Sequence, residues 1–153
     1  MLNRSNDVEL DFDFDKVKEK TKDNPVFYVQ YAYARINSIL RILNIKLNKK
    51  VDLNDKEFEL NETEQKILRK VFEWPKIIES TSNKFDLHKI PFYLYELATL
   101  FHSYWSKGNE HKKYKFIEDE KIKRKEILAI ISLVGVVFQN GMKILGVSLP
   151  EKM

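Results

Sequence analysis

The 153-residue chain contains no cysteine and only three histidines, four glycines and four prolines. Without cysteine there is no disulfide scaffold, thiolate metal site or cysteine nucleophile, as is typical of a reducing compartment. The scarcity of glycine and proline argues against collagen-like and turn-rich all-β architectures. The glycines lie too far apart for a phosphate-binding loop. The histidines are not at metal-ligand spacing. We therefore expect no metal site, and we expect His102 to be a hydrogen-bonded histidine at the edge of the core.

A long hydrophobic run is also missing. The longest apolar stretch, residues 127–138, has 12 residues interrupted by Ser132 and Gly135, whereas a membrane-spanning helix needs about 18 or more. This stretch predicts a buried helix. The first 15 residues carry five acidic side chains where a signal peptide would need a basic and then an apolar segment. We expect a cytoplasmic protein with no membrane partner.

What the chain does contain is helix-forming, charged sequence: 43% of its residues are hydrophobic and 33% are charged. This length and composition predict one domain with one core. The net charge is +4. Residues 1–24 hold 5 basic and 7 acidic residues, a net of −2, so the remaining residues carry +6. That balance is compatible with a polyanionic partner, and equally with plain solvated helix faces.

Apolar residues at spacings of three and four predict an all-α helical bundle. The first helix, about 25–46, begins with the cap Asn24 and Pro25. The next begins after Asn61 or Thr63 and covers about 62–85 with a bend at Pro75, and a third covers about 88–106. We expect a basic loop at 107–115, which carries Lys112, Lys113 and Lys115, and a last helix at about 119–145 that Gly146 ends. Acidic residues 118–120 would complement the dipole of that helix.

An aromatic and basic edge lies along the first helix. At 100° per residue, Tyr28, Tyr31 and Arg35 fall within about 60° of one another, beside the apolar stripe. Unstacked RNA bases lie on aromatic faces while an arginine takes a phosphate or a base edge, so this edge suits single-stranded RNA. The alternative is that the tyrosines widen the core and that Arg35 extends its charged end to solvent.

The sequence NPVFYVQYAYARINSILR at residues 24–41 resembles the DALR-type anticodon-binding domain of arginyl-tRNA synthetases. Further blocks agree in order: MLNR at 1–4 with LDFD at 10–13, YLYELA at 93–98 leading to FHS at 101–103, and the ending LGVSLPEKM at 145–153. One departure is Tyr33, where the family commonly has histidine. The resemblance covers essentially the whole chain.

The resemblance implies that this chain is one domain of a longer parent enzyme, whose catalytic domain is separate from it. That enzyme joins arginine to its tRNA with ATP and magnesium, using a catalytic domain whose signatures are missing from this sequence. This fragment would then hold no catalytic residue and no cofactor. Residues 1–23 would be a connector from the catalytic domain, and residues 24–153 would be the bundle that grips the anticodon stem-loop of tRNA(Arg). A monomer is expected.

By the same resemblance, the anticodon contacts correspond to Tyr28, Tyr31, Arg35 and the terminal Met153. A frayed terminus is the alternative for Met153, although its thioether can pack on a base and Pro150 directs the tail. Two other functions compete with the whole assignment. One is the same bundle from a related class I synthetase such as the cysteinyl enzyme, and the other is a helical protein-interaction module with no RNA role.

Overall fold

The computed structural model describes residue 21, residues 23–47 and residues 59–153. Within these ranges the chain forms a helical bundle with one short hairpin, which confirms the all-α prediction. The elements are α1 (Pro25–Ile42), α2 (Glu62–Phe72), α3 (Trp74–Lys84), α4 (Lys89–Glu110), a 3₁₀ turn (Lys112–Tyr114), β1 (Ile117–Glu118), β2 (Lys121–Ile122) and α5 (Lys125–Ile144). The predicted connector 1–23 falls almost entirely outside the described residues.

Helix α1 begins as predicted but ends four residues early. The Asn24 side chain accepts hydrogen bonds from the backbone N–H groups of Val26 and Phe27, at 3.1 and 3.3 Å, and Pro25 occupies the first turn. At the other end Asn44 adopts a left-handed φ of 51°. This lets Ile45 N–H reach back to the carbonyl of Leu40 at 2.9 Å. This C-terminal capping bond ends the helix, although the apolar spacing continues to residue 47.

The second predicted helix is two helices joined at Glu73. Asn61 and Glu64 form a reciprocal capping box at the start of α2, with bonds of 2.9 and 3.0 Å. Pro75 lies in the first turn of α3, where its missing N–H costs nothing. The predicted bend at Pro75 and the cap at Asn61 are therefore confirmed.

Gly108 does not end the third predicted helix, because α4 continues to Glu110. A Cβ atom at Gly108 would lie 2.8 Å from the carbonyl oxygen of Tyr114. The glycine thus lets the 3₁₀ turn fold back onto the helix. The predicted loop at 107–115 is wrong, since helix and 3₁₀ turn together occupy most of it.

The predicted helix start at 119 is also wrong, because a hairpin precedes α5. Ile117 pairs with Ile122 and Glu118 pairs with Lys121 in an antiparallel register. The turn residues Asp119 and Glu120 both have positive φ, at 50° and 59°, as in the tight turns that match strand twist. Ile117 and Ile122 pack against the core, and this burial favours the hairpin over another turn of helix.

The core lies around α4, which contacts α1, α2, α3 and α5. Helix α5 is long and apolar enough to cross a bilayer by composition, with a mean hydropathy of 1.8, but 56% of that stretch is buried inside the bundle. Gly146, at φ 68°, ends α5 as predicted. Tyr33, the departure from the family, is 5% exposed and its hydroxyl accepts a 2.6 Å hydrogen bond from Gln139.

Candidate nucleic-acid interface

Helix α1 brings Tyr28, Tyr31 and Arg35 together along the side that faces α4. Ala32 and Ile36 on the neighbouring stripe are fully buried, and they set the rotation of the helix. Tyr28 and Arg35 are half-buried, while Tyr31 is 37% exposed. The helical period therefore gave the correct grouping of these three residues, and their partners come from the other helix.

Arg35 is held by both of its terminal nitrogens. Nη2 donates to the Tyr31 hydroxyl at 2.9 Å, and Nη1 lies 3.3 Å from Nδ1 of His102. The guanidinium carbon is 4.3 Å from the centre of the Tyr31 ring and 5.2 Å from that of Trp105. A cation at these distances is attracted to the faces of aromatic rings. The arginine at this edge is thus pre-oriented.

His102 lies beneath the edge and is 7% exposed. Its ring centre is 4.3 Å from that of Tyr28 and 5.6 Å from that of Tyr31. Nε2 lies 3.2 Å from the Tyr28 carbonyl oxygen. The prediction of a hydrogen-bonded histidine at the core edge is confirmed. Sequence reasoning missed that this edge is the one carrying the tyrosines.

Tyr95 and Trp105 also enter the cluster from α4, and sequence reasoning missed them as site residues. Tyr95 lies 5.2 Å from Tyr28, measured between ring centres. Trp105 belongs to the apolar stripe of α4, where it also contacts Phe101 and Phe116. A spacing of three residues puts His102 and Trp105 on one face of α4. That spacing is the one local signal that could have linked them.

Arg35 is the charged member of this cluster, because His102 and Tyr28 are held neutral. Burial lowers the pKa of His102 because it disfavours the charged imidazolium, and the Arg35 charge lowers that pKa further. Burial raises the pKa of Tyr28, so its phenol stays protonated. At neutral pH the charge of the cluster therefore resides on Arg35 alone.

Two exposed lysines, Lys112 and Lys115, follow α4 in the chain. Lys115 and Trp105 line one cavity of about 220 Å³ between α1, α4 and the segment before the hairpin. Lys115 thus places a second positive charge near Trp105, which Arg35 also contacts. Both lysines are free of the constraints that hold Arg35 in place, since both are exposed. They are suited to phosphate contacts, because a lysine acts as a mobile point charge.

Met153 is not joined to the other three predicted contacts. It is 53% exposed, and among the described residues no hydrogen bond or ring contact links it to the cluster. The tail before it is nevertheless docked on α1, since Gln30 Nε2 donates to the Ser148 carbonyl at 2.8 Å. Within the described ranges, no group of three or more His, Cys, Asp or Glu side chains could hold a metal ion.

Comparison with known proteins agrees with the fold and with the resemblance. Residues 29–153 match the family model of the DALR anticodon binding domain. An arginine–tRNA ligase of Pelagibacter ubique is 50% identical over 153 residues, and one of Ruegeria pomeroyi is 41% identical over 161 residues. Each match covers the whole of this chain. The chain spans about a quarter of the length of these curated relatives, 26% and 27%.

Solved structures give the same result. A Campylobacter jejuni protein described as an arginyl-tRNA synthetase superposes with a TM-score of 0.81 at 27% identity, over 99% of this chain and 32% of that one. The Thermus thermophilus arginyl-tRNA synthetase shares the fold, with a TM-score of 0.68 at 21% identity over 94% of this chain and 24% of that one. Since the family model matches most of the sequence, the chain belongs to the DALR anticodon-binding domain family.

Proposed function

We propose that this chain is the anticodon-recognition domain of an arginine–tRNA ligase and that it binds the anticodon stem-loop of tRNA(Arg) through Tyr28, Tyr31 and Arg35. The observation that carries this proposal is the exposed edge at which Arg35 lies against the Tyr31 and Trp105 rings. Unpaired bases stack on aromatic faces, and a guanidinium donates to phosphates and base edges. Both groups lie side by side where α1 packs against α4.

The parent enzyme would attach arginine to tRNA with ATP and magnesium in its catalytic domain. The present chain, about a quarter of the length of its relatives, supplies the grip on the anticodon. Its own catalytic domain and tRNA(Arg) are the proposed partners, in a cytoplasmic, monomeric enzyme. Residues 24–153 are the proposed RNA-binding bundle, and residues 1–23 are the proposed connector to the catalytic domain.

Met153 is the fourth proposed anticodon contact. The bond from Gln30 to the tail supports this role, because it fixes the approach of the C-terminus to the same helix that carries Tyr31. A half-exposed thioether is polarizable and can pack on a base.

A titration with two RNAs tests the proposal. The chain should bind a stem-loop with an arginine anticodon more tightly than the same stem-loop with an exchanged anticodon, and both affinities should fall steeply with salt. Phe72→Ala, which alters an aromatic side chain that is 72% exposed on α2, is the matched control and should change neither. Equal affinity for the two RNAs would remove the anticodon role. Binding that ignores salt would favour a protein-interaction module.

A further inference from the structure

His102 joins the two helices of the interface through both of its ring nitrogens. Nε2 lies 3.2 Å from the carbonyl oxygen of Tyr28, and Nδ1 lies 3.3 Å from Nη1 of Arg35. The ring also contacts both tyrosine rings, tilted by 42° against Tyr28 and by 27° against Tyr31. A residue of α4 is therefore in contact with every predicted contact residue of α1.

The partners determine where the proton of this imidazole sits. A backbone carbonyl only accepts a hydrogen bond, and a guanidinium only donates. Nε2 must therefore carry the hydrogen, and the lone pair of Nδ1 must face Arg35. Only the neutral ring meets both demands, since an imidazolium would turn an N–H toward the guanidinium.

We infer that neutral His102 is a positioning residue that fixes the Arg35 guanidinium for RNA. This inference rests on the proposed function. His102 accepts from Nη1 while the Tyr31 hydroxyl accepts from Nη2, so the plane of the guanidinium is held from two sides. Of the five N–H donors of an arginine, two are used among the described residues, and three are left to meet a base edge or a phosphate.

Holding Arg35 in one conformation before RNA binds should raise the affinity for RNA. An arginine on a helix edge samples many rotamers, and ordering such a side chain on binding weakens affinity. Here two hydrogen bonds and two ring faces order Arg35 in the free protein. His102 itself is too deeply buried to offer its own edge to the RNA, so it acts through Arg35.

Three variants separate positioning from packing. His102→Phe keeps an aromatic ring beside Tyr28 and Tyr31 and removes both nitrogens, so affinity for the arginine-anticodon stem-loop should fall about tenfold, because Arg35 is then no longer ordered in advance. His102→Asn places an amide oxygen near the position of Nδ1 and should stay within about threefold of the original affinity. In an Arg35→Ala background, His102→Phe should cause no further loss, because both changes remove the same interaction.

A measurement on the free chain tests the contact without altering His102. Imidazole ¹⁵N shifts at pH 7 should show a neutral ring protonated on Nε2, and Arg35→Ala should shift the Nδ1 resonance. A ring protonated on Nδ1 contradicts the inference, as does an unchanged Nδ1 resonance. Melting curves on every variant show whether each one is folded.

The outcomes distinguish this inference from the function on which it rests. If the unaltered chain binds no anticodon stem-loop, the proposed function fails. If the unaltered chain binds and folded His102→Phe binds equally well, only the positioning role fails. A loss from His102→Phe that is just as large in the Arg35→Ala background would assign His102 to packing alone.

Discussion

Two arginines tie helices together in this bundle, and their partners differ in one respect. Arg124, just before α5, donates from Nη1 to the Glu59 carbonyl at 2.7 Å and from Nη2 to the Glu64 carboxylate. Arg35, in α1, has the Tyr31 hydroxyl and the His102 imidazole as its acceptors. One arginine is paired with a negative charge, and the other has neutral partners.

The Glu64 side chain is fully buried, and its two carboxylate oxygens accept three hydrogen bonds. Tyr104 donates to it alongside Arg124, and Glu64 also accepts from the Asn61 backbone N–H at 2.9 Å. Burial and the adjacent carboxylate raise the pKa of Tyr104 far above its usual range, so its hydroxyl remains a donor. This cluster joins α2, α4 and the start of α5, and its charge is compensated inside the fold.

The edge around Arg35 has no such compensation, since no carboxylate of the described residues forms a salt bridge with it. Its positive charge therefore stays available to an anion. The charge of the partner, more than the presence of an arginine, separates the structural cluster from the proposed binding edge in this protein. Substitutions around Glu64 should accordingly weaken the fold, whereas substitutions around Arg35 should weaken RNA binding.

Glu64→Ala should have the largest effect on stability. It leaves Arg124 and Tyr104 without their acceptor and removes half of the capping box, so the free energy of unfolding should fall by about 3 kcal/mol or more. Urea denaturation provides the measurement. Glu62→Ala, at an exposed position of the same helical turn, is the control and should change the midpoint little. A small loss at Glu64 would mean that the buried cluster does not hold the helices.

Tyr31→Ala should leave the fold intact and weaken RNA binding. Loss of a stacking ring costs about 1–3 kcal/mol per base, roughly a five- to hundredfold loss of affinity. Arg35→Ala should act similarly, and the double variant should lose less than the sum if both side chains hold one nucleotide. Binding and melting are measured on the same preparation. Full affinity in folded Tyr31→Ala protein would return Tyr31 to a packing role.

Replacing Lys112 and Lys115 by alanine should weaken binding to all stem-loops alike. Lysines meet phosphates, which carry no sequence information. The slope of log affinity against log salt should flatten by about 0.7 for each phosphate of a single strand that the protein no longer neutralises. Titrations at several salt concentrations measure that slope. If it does not change, these lysines lie away from the bound RNA.

A pH dependence of stability that originates at His102 should be the weakest of these effects. The pKa of His102 is lowered in the folded protein, mainly by burial. Below about pH 6.5, the ordinary histidine value, the unfolded chain binds a proton that the folded ring resists. This contribution is thus fully present above that pH and is lost as the pH falls. The titratable and charged groups that face the ring are Tyr28, Tyr31 and Arg35, and of these only Arg35 is charged in this range.

Urea midpoints at pH 7 and pH 5 measure this effect when His102→Asn is compared with the unaltered chain. Every other titrating group is common to the two proteins and cancels in the comparison. The unaltered chain should lose more stability on acidification than the Asn variant. Equal losses would show that the ring takes up its proton as readily in the folded state as in the unfolded one.

Local chemistry allowed much of the fold to be predicted. Asn24 and Asn61 cap their helices and Gly146 ends α5 through bonds to residues a few positions away, and Pro75 marks the bend because it has no backbone N–H to donate. The grouping of Tyr28, Tyr31 and Arg35 likewise needs only the helical period. The family assignment also came from sequence blocks and is confirmed by the match over residues 29–153.

Features that depend on distant partners could not be predicted in this way. Gly108 has the local signature of a helix end, yet it is a close approach to the Tyr114 carbonyl. Asp119 and Glu120 look like the acidic start of a helix, yet they turn a hairpin whose isoleucines reach the core. In both places burial against the rest of the bundle outweighed local propensity.

The grouping of Tyr28, Tyr31 and Arg35 on one side of α1 follows from the sequence alone, because the 3.6-residue period of a helix needs no distant partner. The surroundings of those residues depend on how the helices pack. His102 and Trp105 are 67 and 70 positions from Arg35, and they reach it because α4 packs against α1. That packing supplies an acceptor and an aromatic face from another helix, and it fixes a long, flexible side chain that would otherwise be free to move.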